Sequence, residues 1–129
     1  MMPKITCTDE QLGLIETCIE AMFRMSMGQM MHGVDTLCDI VGRRLDYEER
    51  KGIEHHMRLA IFPELVEKSI GGFSSYGYNN KEIGKGIELC EMYKVLQNYR
   101  AKRDGHDDFS VTRCKPFRVS GKPFIVVEP

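Results

Sequence analysis

Apolar residues recur at intervals of three and four over most of the first hundred positions, the spacing of helices that bury one stripe. Over residues 8–27 the stripe is Leu12, Ile15, Ile19, Met22 and Phe23. Thr8 and Gln11 stand three apart at its start, as in a capping box where each side chain satisfies the other's backbone amide. Gly28 and Gly33 bracket a second helical stretch with Val34, Leu37, Cys38 and Val41 on one face. A third helix is expected to begin at Asp46, with Glu49 in the matching box position and Ile53, Met57 and Ala60 turned inward. Pro63 suits the first turn of a short helix, ELVEKSI. The last helix is expected over 80–103, capped by Asn79 or Asn80, with Ile83, Ile87, Leu89, Met92, Tyr93, Leu96 and Tyr99 along its face. Gly84 and Gly86 inside it cost about 1 kcal/mol each relative to alanine, tolerable where another backbone or a ligand comes close.

Beyond residue 103 the period changes. Residues 109–111 and 117–119 look extended, Ser120-Gly121 turns, and 124–127 is a short β-type run. Pro116 and Pro123 keep these runs out of any central strand. Residues 3–7 are a candidate leading strand. The expected fold class is therefore α+β: a four-helix N-terminal body with a small C-terminal antiparallel β-hairpin. The chain 1–129 reads as a single domain, with a helical body over 8–103 and a C-terminal β segment over 109–127.

Charge and cysteines narrow the partners. A formal net charge of −1 argues against a dedicated duplex-DNA binder, which needs a basic excess. The 5 cysteines are odd in number and none stands in a CxxC pair. With no signal peptide and no long apolar run, the expectation is a reduced cytoplasmic protein with no membrane partner.

The residues of chemistry are sparse. His55 and His56 are adjacent and point about 100° apart on a helix, and Glu54 completes no HExxH pattern. There is no GxSxG, and the pairs Glu48-Glu49 and Asp107-Asp108 read as solvated charge. No catalytic residue, metal or cofactor is expected. Met22, Met25, Met27, Met30 and Met31 form a cluster that suits core packing, a subunit contact or an adaptable binding surface. Arg24 and Arg100 each continue an apolar stripe. Such an arginine either snorkels to water or meets a buried anion, for which its planar fork is suited.

The stretch GGFSSYGYNN, residues 71–80, sets aromatics on a loop rich in glycine, serine and asparagine just ahead of a helix. Amides there and at a helix N-terminus can hold phosphate. Phe73 or Tyr76 can stack on a base, a contact worth about 1–3 kcal/mol. The same composition also describes a plain connector with its aromatics tucked inward.

Together, TDEQLGLIE and AMFRMSMGQ near the start, then FSSYGYNN, then EMYKVLQNYR, resemble a group of small phage and prophage proteins, the Thoeris anti-defence sponge family. The resemblance runs through three short patches; residues 42–70 and the C-terminal run carry no matching motif. It implies a non-enzymatic protein of the host bacterial cytosol. Such a protein sequesters a cyclic ADP-ribose signal without degrading it, and some members also hold cyclic oligonucleotides. It further implies a homo-oligomer, dimer or hexamer. Phe73 would then correspond to the base-stacking aromatic. Arg24 and Arg100 would be the phosphate-gripping arginines, one of them reaching across a subunit boundary. The candidate ligand-binding set is thus Phe73, Tyr76, Asn80, Arg24 and Arg100. Two other classes stay open: a phage structural or interaction protein using residues 22–31 and FIVVEP as its interface, and a nucleotide-processing enzyme.

Overall fold

Thr8 begins the helical part of the chain as its residues dictate. In the computed structural model, which describes residues 2–68, 75–105, 120–123 and 125–129, the Thr8 hydroxyl accepts from the Gln11 amide at 3.1 Å. The Gln11 side chain accepts from the Thr8 amide at 2.8 Å. Helix α1, Asp9–Ser26, follows, with Asp9 and Glu10 in the first turn, where negative charge suits the helix dipole. It stops at Gly28, whose φ of 93° lets the chain turn back at no Cβ penalty. Helix α2, Met30–Val41, returns along α1 and ends on Gly42 at φ 68°. Asp46 and Glu49 then form the second capping box, 2.8 and 3.3 Å, at the head of α3, Tyr47–Ile61. The short α4, Pro63–Lys68, comes next. A 3-10 turn, Lys81–Ile83, leads into the last helix, α5, Gly86–Arg103. The single helix expected over 80–103 is thus broken at Gly84 and Lys85.

Helices α1 and α5 run antiparallel and in close register. Arg103 pairs with Asp9 at 2.9 Å, Arg100 with Glu16, and the Tyr93 ring lies 5.3 Å from Phe23. At the far end a Cβ on Gly86 would fall 2.1 Å from the Ser26 hydroxyl oxygen, so only glycine allows this approach. The close contact expected of Gly86 is therefore met by α1. Between these ties sits the core cluster of Phe23, Met27, Ile83, Cys90 and Tyr93, with Ile19, Tyr76, Ile87 and Leu89 packed against it. Met27 and Met30 of the methionine cluster are buried, and Met22 is exposed.

The stripes of the second and third helices are only half covered. On α2, Met30 and Val34 are buried, but Leu37 and Val41, further along the same stripe, are 61% and 53% exposed. On α3 the expected inward residues Ile53 and Ala60 face water, and Arg58 is buried instead, 3% exposed and paired with Glu54 at 3.3 Å. At the head of α3, Arg50 meets Asp35 of α2 at 2.7 Å. Long stems such as that of Arg58 can then do the packing.

The C-terminal expectation is corrected. Among the described residues there is no strand, so the fold is helical and not α+β. Residues 120–123 and 125–129 lie as irregular chain, and residues 3–7 do likewise. The expected extended runs 109–111 and 117–119 lie outside the described residues, as does Phe124. Where a turn was expected, the Ser120 amide donates to Glu91 Oε1 at 2.8 Å and its hydroxyl to Glu91 Oε2 at 2.6 Å. The Lys122 amide then donates to Ser120 Oγ at 3.1 Å. These contacts tie the segment to α5 through a side-chain carboxylate and not through a strand partner.

Candidate functional site

Helix periodicity places Gly13, Glu16, Glu20 and Arg24 along one side of α1, three or four residues apart. Tyr93, Gln97 and Arg100 run along the facing side of α5. The result is a polar seam beside the apolar core. Arg100 donates through one terminal nitrogen to Glu16 and lies flat on α1, its guanidinium carbon 3.7 Å from where a Gly13 Cβ would stand. Glu16 is 12% exposed and Arg100 38%. Tyr93 sits mid-seam, its hydroxyl 3.0 Å from the Gln97 amide nitrogen that donates to it. Burial first, then the charge and hydrogen bond of Glu20, push the Tyr93 phenol above its ordinary range, while nearby Arg24 pulls the other way.

Arg24 closes the seam near the end of α1. Its Nε is 3.9 Å from Glu20, too far for a hydrogen bond, and one terminal nitrogen reaches Gln29 at 3.3 Å. His32 of α2 approaches the same Glu20 oxygen at 3.7 Å. Among the described residues neither Arg24 Nε nor Arg100 Nε has a hydrogen-bond partner, although both atoms are buried. Both guanidiniums therefore hold donors in reserve.

The other expected residues are placed differently. Tyr76 donates its hydroxyl to Glu64 at 2.8 Å, sets its ring edge-on to Phe62 at 5.9 Å, and ties its amide to the Met27 carbonyl at 2.8 Å. The bond to Glu64, with some desolvation, raises its pKa to about 12. Its ring is used for packing, as in the connector reading of that loop. Asn80 caps the 3-10 turn by accepting from the Glu82 amide at 2.9 Å. Phe73 lies outside the described residues. Tyr76 and Arg24 share the C-terminal end of α1. Arg100 sits eight to eleven residues earlier on that helix, about 12–16 Å away along its axis. Within one chain the two arginines do not converge.

Glu16, Glu20, Tyr93 and Gln97 are the seam residues that the apolar stripes hid. One signal was available: Glu16 and Glu20 interrupt the α1 face at a four-residue step, and Glu20 repeats that step to Arg24.

Elsewhere a cavity of about 170 Å³ lies between α5 and the C-terminal segment, lined by Glu88, Glu91, Met92, Lys122, Pro123 and Ile125. Residues 91 and 100 are half a turn out of phase, so this cavity opens on the side of α5 away from Arg100. Among the described residues no group of three histidine, cysteine or carboxylate side chains is placed to hold a metal, and no helix is long and apolar enough to cross a membrane. No family model, no curated protein and no solved structure matches this chain.

Proposed function

We propose that the chain is a non-enzymatic binding protein that captures a cyclic nucleotide of the cyclic ADP-ribose kind and so withholds it from a bacterial defence pathway. The observation that carries this reading is the seam: two half-exposed arginines on one side of α1 and α5, each with a buried Nε–H that lacks a partner among the described residues. The resemblance of the patches AMFRMSMGQ and EMYKVLQNYR, which contain Arg24 and Arg100, points the same way. Burying a pyrophosphate needs paired cations. Because the two arginines stand apart within one chain, the ligand would take one from each of two subunits, and the assembly is a homo-oligomer. The uncovered stripe of α2, with Leu37, Ile40 and Val41 exposed, supplies apolar surface for it.

The test is to load the protein with cyclic ADP-ribose isomers, remove free ligand, release the bound fraction by heat and identify it by chromatography. Unchanged ligand is expected. A cleaved product would make the protein an enzyme. If no isomer is retained, the exposed apolar residues of α2 and α3 favour the second reading, a protein-interaction module without a small ligand.

A further inference from the structure

The two seam arginines engage their carboxylates through one nitrogen or none, an arrangement that Arg50 shares on Asp35 but that, among the described residues, only the seam pair sets along the facing sides of α1 and α5. An arginine–carboxylate pair kept for stability tends to fork, using two parallel N–H donors. Arg100 instead gives Glu16 a single terminal nitrogen and leaves Nε buried without an acceptor among the described residues. Arg24 keeps Glu20 beyond hydrogen-bond distance and also leaves its Nε bare. Glu16 is the more buried member of its pair, so its desolvation is the larger cost while most of the fork stays unused. Gly13 puts no side chain beneath the guanidinium, whose carbon lies 3.7 Å from where a Cβ would stand.

We infer that Glu16 is a built-in competitor: it holds Arg100 on α1 in the ligand-free chain and yields it to a phosphate oxygen, so anion capture is an exchange of one acceptor for another. Glu20, 3.9 Å from Arg24 and also faced by His32 and Tyr93, is a looser charge counterpart and does not hold Arg24 by a hydrogen bond. This regulation of the site rests on the reading of the arginines as phosphate grips. It sets affinity by a difference: the ligand gains only what the phosphate offers beyond the carboxylate.

The experiment measures binding of inorganic pyrophosphate and of cyclic ADP-ribose isomers, by calorimetry, to the full chain and to Glu16→Gln, Glu16→Asp and Arg100→Gln. Glutamine keeps the size and an acceptor but drops the charge. Aspartate is one methylene shorter and loosens the pair if glutamine disturbs the fold. Pyrophosphate should bind Glu16→Gln about tenfold tighter than the parent chain and Glu16→Asp more tightly by a smaller factor, with Arg100→Gln the weakest of the set. Equal or weaker pyrophosphate binding by both Glu16 variants, with melting temperatures near the parent's, would overturn the inference and make Glu16 a buttress. If cyclic ADP-ribose isomers bind the parent but Glu16 variants gain nothing, the exchange fails and the ligand reading stands. If pyrophosphate shows the gain and no cyclic nucleotide binds, the exchange stands and the ligand reading fails.

Discussion

Helices α1 and α5 meet along their whole length, whereas α2 and α3 leave much of their apolar surface in water, and the two pairs differ in what closes them. The α1–α5 pair is locked by ties spread end to end: Asp9 with Arg103, Glu16 with Arg100, Phe23 with Tyr93, and Ser26 seated where Gly86 has no side chain. The α2–α3 pair has the Arg50–Asp35 contact, with the α2 stripe covered only at its start and Ile53 and Ala60 of α3 in water. The buried residues of α5, among them Cys90, Glu91, Tyr93 and Leu96, do not keep to one stripe, because α1 packs on one side and the C-terminal segment on another. A mixed face on α5 thus goes with cover on several sides, while a clean stripe alone does not say whether it is covered: that of α1 meets α5, and that of α2 stays half in water.

Substitutions can break or sharpen this contrast. Phe23→Ala removes the ring at the centre of the locked pair and should cost about 3–5 kcal/mol by denaturant unfolding. Ile53→Ala, on the exposed side of α3, should stay within about 0.5 kcal/mol. Equal losses would erase the distinction between the pairs. Gly86→Ala drives a Cβ into Ser26 and should cost about 1–3 kcal/mol. Gly13→Ala meets only the Arg100 guanidinium at contact distance and should raise stability by up to about 1 kcal/mol through helix propensity. Leu37→Asp with Val41→Asp should leave the melting temperature almost unchanged and reduce the particle mass in light scattering to that of one chain. An unchanged mass would place any self-association elsewhere.

The smallest effect is at Tyr76. A phenol whose folded pKa is raised favours the folded state fully below its ordinary value near 10, and that advantage fades as pH climbs towards about 12. Absorbance at 295 nm during alkaline titration should therefore lose its component near pH 12 in Tyr76→Phe. Loss of a component at ordinary pH instead would show that Glu64 does not hold this hydroxyl.

Much of the helical part was legible. The boxes Thr8–Gln11 and Asp46–Glu49 are local chemistry, and both formed where their spacing put them. The β-hairpin was not, because apolar and β-branched residues near a turn describe an extended chain equally well when its amides find side-chain acceptors. Glu91, 29 residues earlier and on α5, was that acceptor for Ser120. Inward Ile53 and Ala60 failed because periodicity gives the faces of α3 and not which of them turns in; that is set by how α3 packs, with Arg58 buried and both of these exposed. At the candidate site, Arg24 and Arg100 stood out as cations on apolar stripes, and both line the seam. Glu20 stands one helical turn from Arg24 and was within reach of local spacing, whereas Glu16 meets Arg100 only through the packing of α1 on α5, which no local spacing encodes.

One titration bears most directly on the arginine seam. The parent chain and the charge-balanced double variant Glu16→Gln with Arg100→Gln, which removes the cation without stranding a carboxylate, are compared by calorimetry with cyclic ADP-ribose isomers. The account predicts saturable heat for the parent and none for the double variant at an equal melting temperature. Equal heat from both, or none from the parent, would contradict it.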